Sequence, residues 1–183
     1  MERTMTDQVL LRVAGPEDAA AIDALMKESG AALFPAFYDE RQTASAVRYV
    51  AQVDPMILVD GTYFALEAAG ELVGCGGWSR RDRLYPGSGD AEEDGRLLDP
   101  ANEPAKVRAM FVRGDWTRRG LGRRNIDECE LAARAEGFKR LALLATLPGV
   151  PLYTACGFVP GDEVEVALED GVTMACVAME KPI

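Results

Sequence analysis

Hydrophobic and polar positions alternate along the chain in a way that predicts a mixed α/β fold. The apolar run VLLRVA is typical of a strand. The segment GPEDAAAIDALMKES has helical spacing, with Pro16 in its first turn and Gly30 as its predicted end. A second helix is predicted in RQTASAVRYVAQ and ends before Asp54 and Pro55. Between the two helices, AALFPAFYDE is predicted to be an irregular connection.

The later segments continue this pattern. TYFALEAAGELVGCGGW predicts a hairpin that turns at Ala69 and Gly70. AKVRAMFV and KRLALLAT are apolar on both faces, as buried central strands are, and a helix ending at Gly137 lies between them. A short helix in GVPLYTACG and a hairpin turned near Asp170 follow. This order predicts a single domain over residues 1–183, of the α/β (α+β) class, with a central mixed sheet of about seven strands and about four flanking helices.

A polar stretch rich in glycine and proline, residues 79–104, interrupts this order. It is long for a loop in a compact domain, and such loops are usually functional or mobile. We therefore interpret it as a lid or a mobile insertion on the substrate side, rather than as a domain linker. Five aromatic residues in connections and strand ends either belong to the core or shape a pocket: Phe34, Phe37, Tyr38, Trp78 and Tyr85.

Composition restricts the available chemistry. The 183 residues include 30 acidic and 20 basic ones, and the net charge of -10 disfavours general binding to nucleic acid or anionic membranes. The chain has no apolar run of the ~18 residues needed to span a membrane. Its four cysteines form no Cys-x-x-Cys pair and it shows no signal peptide, so reduced thiols and a cytoplasmic location are expected. It contains no histidine, the commonest general base and metal ligand, and no metal site is predicted.

Basic residues are nevertheless concentrated in WTRRGLGRRN, residues 116–125. Five arginines and one aspartate lie between Arg113 and Arg124, where a predicted strand turns into a helix. Glycines let an anion approach the free N–H groups of a helix start, and arginines pair with phosphate oxygens. The pattern predicts a phosphate site; the alternative is a tight connection with solvated arginines.

Two other phosphate motifs are disfavoured. The sequence G-x-x-x-x-G-K-[ST] of nucleoside triphosphatases does not occur. The glycines of GCGGWS, from Gly74, follow a strand but lack the third glycine and the helix of a dinucleotide site. We interpret them as strand glycines prone to forming a bulge.

The strand AMFV, the turn TRRGLGR and the later PLYTACGF resemble the coenzyme A site of the GNAT superfamily of acyl-CoA N-acyltransferases. That family's turn is usually written Gln/Arg-x-x-Gly-x-Gly/Ala, and a tyrosine on a short helix precedes a later Gly-Phe. The order of elements is similar across nearly the whole chain. The resemblance implies a sheet with splayed central parallel strands, acetyl-CoA as co-substrate, no metal, and a small-molecule or peptide amine as acceptor.

The resemblance also implies roles for individual residues. N–H groups of the turn would hold the pyrophosphate of the coenzyme, and the preceding strand would pair with its pantetheine arm. The N–H of Val112 would polarise the thioester carbonyl, and Tyr153 would protonate the departing thiolate. The residues implied in cofactor binding are Met110, Phe111, Val112, Arg118, Arg119, Gly120, Leu121, Gly122, Arg123 and Thr146.

The chain departs from the family pattern in three places. Thr117 stands where glutamine or arginine is usual, and Thr146 where many members carry asparagine. The strand LALLAT lacks the carboxylate that some members keep as a base. Glu67 and Glu71 are candidate bases, and a water chain or desolvation of the amine are alternatives.

Two functions follow from these observations. One is an N-acetyltransferase in which acetyl-CoA and a primary amine react directly in a ternary complex. The alternative is an acyl-CoA binding or sensing module without turnover. A small amine, an amino acid, an aminoglycoside and a protein N-terminus all stay open as acceptors. The edge of the closing hairpin also offers a surface for a homodimer.

Overall fold

The computed structural model describes residues 8–83 and 95–183, and this part of the chain forms one mixed sheet of seven strands in the order β1-β2-β3-β4-β5-β7-β6. The strands are β1 (Val9–Val13), β2 (Tyr63–Ala68), β3 (Glu71–Ser79), β4 (Ala105–Val112), β5 (Arg140–Thr146), β6 (Val159–Ala167) and β7 (Thr173–Pro182). The α-helices are α1 (Ala19–Leu33), α2 (Glu40–Tyr49), α3 (Pro55–Val59), α4 (Leu121–Ala135) and α5 (Val150–Ala155). The predicted fold class is confirmed, with one more short helix than expected.

Helices cover both faces of the sheet. On one face α1 and α3 pack against Tyr63 and Ala65 of β2. On the other face α4 and α5 pack against a core that contains Phe64 and Trp78. Neighbouring residues of β2 thus belong to the cores on opposite faces of the sheet, because successive side chains of a strand point to opposite faces. This double burial explains why the central strands are apolar throughout.

The structure corrects the predicted end of α1. The helix continues through Gly30 to Leu33 and is followed by a 3-10 turn over Phe34–Ala36. Gly30 is buried, and a Cβ atom there would lie 2.9 Å from Cε2 of Phe34. The glycine is therefore required by the packing of Phe34 and does not end the helix.

The segment after α2 also differs from the prediction. Asp54 and Pro55 begin α3, a helix that the sequence pattern did not indicate. The Asp54 carboxylate accepts the N–H of Met56 at 3.0 Å, and Pro55 occupies the first turn. Both are start signals, but a helix of five residues is too short to show periodicity.

The described flanks of the predicted insertion, residues 79–104, are packed against the domain. The mobility of the insertion stays a prediction. Leu98 is buried in the same core as α4. The Arg81 guanidinium forms an ion pair with Asp60, with Nε 2.7 Å from the carboxylate. Residues 84–94 lie outside the described residues, and for them the interpretation stays a prediction.

The parallel strands β4 and β5 separate soon after they begin. Their pairing consists of Ala105 with Leu141 and Lys106 with Ala142. The strands then diverge and leave a gap in the middle of the sheet. The splay implied by the family resemblance is thereby confirmed.

A bulge accompanies this divergence. The register of β3 against β4 shifts between Cys75 and Gly77, and Ala109 of β4 has a φ of 47°. Bulges bend a strand and increase its twist, so β4 turns away from β5. Asn125 of α4, with its amide oriented to suit its neighbours, accepts the N–H of Gly76 at 3.1 Å and donates to its carbonyl at 3.2 Å. The glycines of GCGGW are therefore strand glycines at a bulge, as predicted.

Strand β6 forms one edge of the sheet, and most of its residues are exposed. It carries Asp162, Glu163 and Glu165. Antiparallel pairing of this edge with a second copy would bring like charges close together, which is unfavourable. The homodimer stays a prediction. Within the described residues, no helix is long and apolar enough to cross a membrane.

Gly77→Ala is expected to destabilise the fold, because the new Cβ atom would lie 2.7 Å from the Cα atom of Tyr63 and even closer to the Thr62 carbonyl. Overpacking of this kind lowers the free energy of unfolding by about 1–3 kcal/mol. Gly95→Ala, where nothing lies within 4 Å of the new atom, is the control and should change it by less than about 0.5 kcal/mol. Urea denaturation measures both, and equal stability of the two variants would contradict the packing at the bulge.

Candidate active site

A cavity of about 990 Å³ passes through the gap between β4 and β5 and is lined from both faces of the sheet. On one side the lining comes from α1, from Val50 just after α2, and from β6 and β7. On the other side it comes from α4, the turn before it, and α5. All predicted site residues except Arg119 line it: Met110, Phe111, Val112, Arg118, Gly120, Leu121, Gly122, Arg123, Thr146 and Tyr153. The structure therefore brings together residues that lie far apart in sequence.

The start of α4 forms one wall of the cavity. Gly120 precedes the helix with a φ of 80°, and no side chain caps the first turn. Arg118 also has a left-handed backbone, with a φ of 62°. The N–H groups of Leu121, Gly122 and Arg123 are thus left without intrahelical partners at the positive end of the helix dipole. Such an uncapped helix start is suited to an anion.

The arginines of this turn differ in their surroundings. Arg118 and Arg123 line the cavity, and Arg123 also donates to the carbonyl of Ala155 at 2.8 Å. The Arg119 guanidinium lies over the ring of Trp116, 4.4 Å from its centre, and does not line the cavity. Arg118 and Arg123 therefore lie in the cavity beside the uncapped helix start, and Arg119 lies outside the cavity.

A close contact joins α4 to α5 beside this wall. A Cβ atom at Gly122 would lie 2.7 Å from Cδ2 of Leu152. Glycine at this position therefore lets the first turn of α4 approach α5 directly. Tyr153 follows Leu152 in α5, so the contact also fixes the distance between the helix start and the tyrosine.

The end of β4 presents backbone groups to the gap. The N–H of Arg113 donates to Val73 of β3 at 2.9 Å. Because peptide groups alternate in direction along a strand, the N–H of Val112 points the other way, toward the gap. The Ser29 hydroxyl donates to the Val112 carbonyl at 2.9 Å and ties α1 to this strand end.

Tyr153 lies on α5 with its ring packed edge-on against Phe158, 5.7 Å between centres. A Cβ atom at Gly149 would lie 2.9 Å from the tyrosine ring, so glycine makes room for it. Among the described residues its hydroxyl has no hydrogen-bond partner. Burial raises the pKa of Tyr153 well above its ordinary value. The phenol is therefore held in its protonated form.

Neither carboxylate suggested as a base lies at the cavity. Glu67 forms an ion pair with Arg12, with the two atoms 2.6 Å apart. Glu71 pairs with Arg113 at 3.0 Å, and its side chain is 71% exposed. No aspartate or glutamate is among the described lining residues. Glu67 and Glu71 are therefore not placed to take a proton from an amine in the cavity, because each is paired with an arginine and neither lines it.

Arg108 of β4 is a cavity residue that sequence reasoning missed. It is only 2% exposed, and it donates to Asp54 at 3.3 Å and to the carbonyl of Arg83 at 3.1 Å. Its Nε has no partner in the described part of the chain. Burial lowers the pKa of Arg108, while the Asp54 carboxylate acts in the opposite direction. A charged residue inside the apolar run AKVRAMFV was the available signal.

The five aromatic residues have different positions. Phe34 lines the cavity, while Trp78 belongs to the core on the α4 face. Tyr38 is buried and its hydroxyl bonds to backbone groups. Phe37 is 49% exposed, and Tyr85 lies outside the described residues. Only Phe34, of the four in the described chain, therefore shapes the cavity directly.

All four cysteines are free and buried, as the sequence suggested. Cys176 lines the cavity, and burial raises its pKa to about 11. Cys156, next to the Tyr153 helix, also has a raised pKa because of burial. A thiol with a raised pKa is a poor nucleophile near neutral pH, so these residues act as small apolar side chains.

The fold and site can be compared with known proteins. The model of the acetyltransferase (GNAT) family matches residues 22–158. Among curated proteins none matches the chain. A GCN5-related N-acetyltransferase from Rhodopseudomonas palustris is similar in structure, with a TM-score of 0.74, 22% identity and all of both chains covered.

Two further structures show the same fold. The PaiA N-acetyltransferase from Thermoplasma acidophilum, in complex with coenzyme A, has a TM-score of 0.69 and 14% identity, with 96% of this chain and 99% of that one covered. A ribosomal-protein-alanine N-acetyltransferase from Brucella melitensis has a TM-score of 0.61 and 16% identity, with 95% and 99% covered. These structures share the fold, and the family model matches the segment that holds the helix start and Tyr153. The chain therefore belongs to the acetyltransferase (GNAT) family.

Proposed function

We propose that the protein transfers an acetyl group from acetyl-CoA to a primary amine by direct attack within one ternary complex. The observation that carries this proposal is the cavity through the split sheet. It joins an uncapped helix start, a strand end with a free N–H group and the half-buried Tyr153. Membership of the family and the coenzyme A complex of the Thermoplasma neighbour support it.

The residues around the cavity suit coenzyme A. The N–H groups at the start of α4 and the nearby Arg118 and Arg123 would hold the pyrophosphate. Met110, Phe111 and Val112 would pair with the pantetheine arm as an added strand pairs with a sheet edge. Thr146 lines the opposite strand end. Arg119 would contribute charge from outside the cavity.

The chemistry follows from the groups at the gap. The amine nitrogen forms a bond to the thioester carbon, and the oxygen of the tetrahedral intermediate accepts the Val112 N–H. The carbon–sulfur bond then breaks, and the leaving sulfur takes the proton of Tyr153. The proton that the nitrogen loses restores the neutral tyrosine. The products are the N-acetyl amide and the free thiol.

The amine must enter in its neutral form, because an ammonium has no lone pair. The chain has no histidine, and the described lining residues include no carboxylate. Burial raises the pKa of the Cys176 thiol and of the Tyr153 phenol, so both stay protonated near neutral pH and neither is available as the base that deprotonates the incoming amine. Desolvation of the amine in the apolar cavity favours the neutral form and is the route we propose, with a water chain as the alternative.

The sensing module is retained as the second candidate because the cavity lacks a carboxylate among its described residues. Thiol release from acetyl-CoA in the presence of a panel of primary amines distinguishes the two candidates. The proposed enzyme releases thiol in proportion to the amide formed. Coenzyme A binding without any amine-dependent thiol would favour the sensor.

Gly120→Asp is expected to raise the dissociation constant of coenzyme A at least tenfold, because it adds negative charge at the helix start. Gly120→Asn is the matched control. Asparagine has the size of aspartate and a similar tolerance of the left-handed backbone, without the charge, and nothing lies within 4 Å of the new Cβ atom. Calorimetric titration measures both variants, and equal affinities would contradict phosphate binding at this turn.

Tyr153→Phe is expected to lower kcat by about a hundredfold or more, the usual contribution of a general acid. Because the hydroxyl has no partner in the described chain, the free energy of unfolding should change by less than about 0.5 kcal/mol. Coenzyme A affinity should be preserved.

Tyr38→Phe is the matched control for this prediction. The Tyr38 hydroxyl donates to Ala175 at 2.7 Å and accepts the Leu147 N–H at 2.9 Å. Its removal should cost about 1–3 kcal/mol of stability and leave kcat less affected than Tyr153→Phe. Steady-state kinetics with thermal unfolding measures both, and the reverse order of kcat values would overturn the assignment.

The pH dependence should follow the acceptor amine. Because burial raises the pKa of Tyr153, its hydroxyl is protonated throughout the neutral range and loses its proton only in strongly alkaline solution. The tyrosine therefore adds no inflection near neutral pH. We expect kcat/KM to rise with pH until the amine itself is neutral, and to shift with the amine chosen. Rates for two amines of different pKa measure this. An inflection between pH 5 and 8 common to both amines would reveal an enzyme base.

A further inference from the structure

The half of the cavity on the α1 side is apolar and holds one charged residue. We use the term far half for the lining residues on this side of the sheet. It consists of Ser29, Leu33, Phe34, Val50, Arg108, Phe111, Leu144, Val166, Met174 and Cys176. Its described members include no carboxylate, the group that holds polyamines and aminoglycosides through their several ammonium charges. An acceptor with one amine and an apolar body fits this lining.

Arg108 is bound on one side only. Its two terminal nitrogens donate to Asp54 and to the Arg83 carbonyl, while its Nε–H has no partner in the described chain. Both Arg108 and Arg83 contact the same oxygen of Asp54. The distance is 3.3 Å from Arg108 and 3.1 Å from Arg83. A buried donor without a partner is unfavourable, and guanidinium groups pair strongly with carboxylates. Arg108 is the one charged residue among the described residues of the far half, so an anionic group that enters this half would pair with it.

The position of Arg108 defines where such an anion would lie. Val112, whose N–H would bind the thioester carbonyl, is four residues further along β4. At ~3.3 Å per residue these four residues span roughly 13 Å, less where the bulge at Ala109 shortens the strand. A carboxylate at Arg108 is therefore well separated from an amine that reacts beside Val112. An α-amino acid, whose amine and carboxylate are attached to one carbon, covers little of this backbone separation, whereas a spacer of several carbons brings the carboxylate within reach of the Arg108 side chain.

We propose that the acceptor is an amine with an apolar spacer and a distal carboxylate, and that Arg108 binds this carboxylate. The inference rests on the proposed function, since it takes Val112 as the site of reaction. It narrows the acceptor to ω-amino carboxylic acids. Peptides, polyamines and aminoglycosides would be poor substrates.

Binding of the amide products to the full chain saturated with coenzyme A tests this without requiring turnover. The probes are N-acetyl-6-aminohexanoate, the matched N-hexylacetamide without a carboxylate, and the isomeric N-acetylnorleucine, whose carboxylate is next to the nitrogen. We expect the first to bind at least tenfold more tightly than either of the others. Equal affinities, preference for the norleucine derivative, or absence of binding by all three would overturn the proposal.

Variants at Arg108 assign the effect. Arg108→Met should reduce the preference for N-acetyl-6-aminohexanoate over N-hexylacetamide to less than about threefold. Arg108→Lys keeps the charge but loses the Nε–H and the planar fork, and it should give an intermediate preference. If Arg108→Met does not fold, as judged by thermal unfolding, Arg108→Lys alone tests the role of Arg108. A preference that survives in the folded variants would overturn the role of Arg108.

The outcomes separate this inference from the proposed function. Amine-dependent thiol release with hexylamine, together with no preference for the carboxylate, overturns only the inference about the acceptor. A carboxylate preference without thiol release from any amine supports the far half as a binding site and overturns the acetyltransferase. Both measurements use the same protein preparation.

Discussion

The early separation of β4 from β5 is the constraint on which the rest of the structure depends. Two pairs of residues hold the parallel strands together before the bulge bends β4 away. A continuous sheet would place a wall of hydrogen-bonded backbone between the helices of the two faces. The gap instead leaves strand-end N–H and carbonyl groups available, and it lets α1 and α4 line the same space. The packing of both faces must therefore be strong enough to keep the sheet open.

The sequence predicted the parts of this arrangement that local rules control. The glycine turn, the start of α4, the strand AMFV and Tyr153 each depend on residues near in sequence, and all lie at the cavity. Their roles in binding and catalysis stay predictions. The prediction failed where distant contacts decide. Gly30 would end an isolated helix, but packing against Phe34 lets α1 continue.

The same limit applies to charged residues. The sequence leaves Glu67 and Glu71 open as bases because it does not show their positions relative to the gap. In the folded chain both are paired with arginines. Arg108 was overlooked because its partners, Asp54 and the Arg83 carbonyl, come from two separate segments. A charge inside an apolar strand is a signal in the sequence, but its partners become evident only when the chain is folded.

The contact between Gly122 and Leu152 restricts how this site could be altered. A side chain at position 122 would collide with Leu152 and would displace it or the helix that carries it, next to Tyr153. Changes that enlarge or reshape the space for new molecules therefore have to be made on the opposite wall. There, Val166 and Met174 project from strands near the sheet edge. Laboratory evolution toward bulkier compounds should accumulate replacements on that wall while leaving the helix junction untouched.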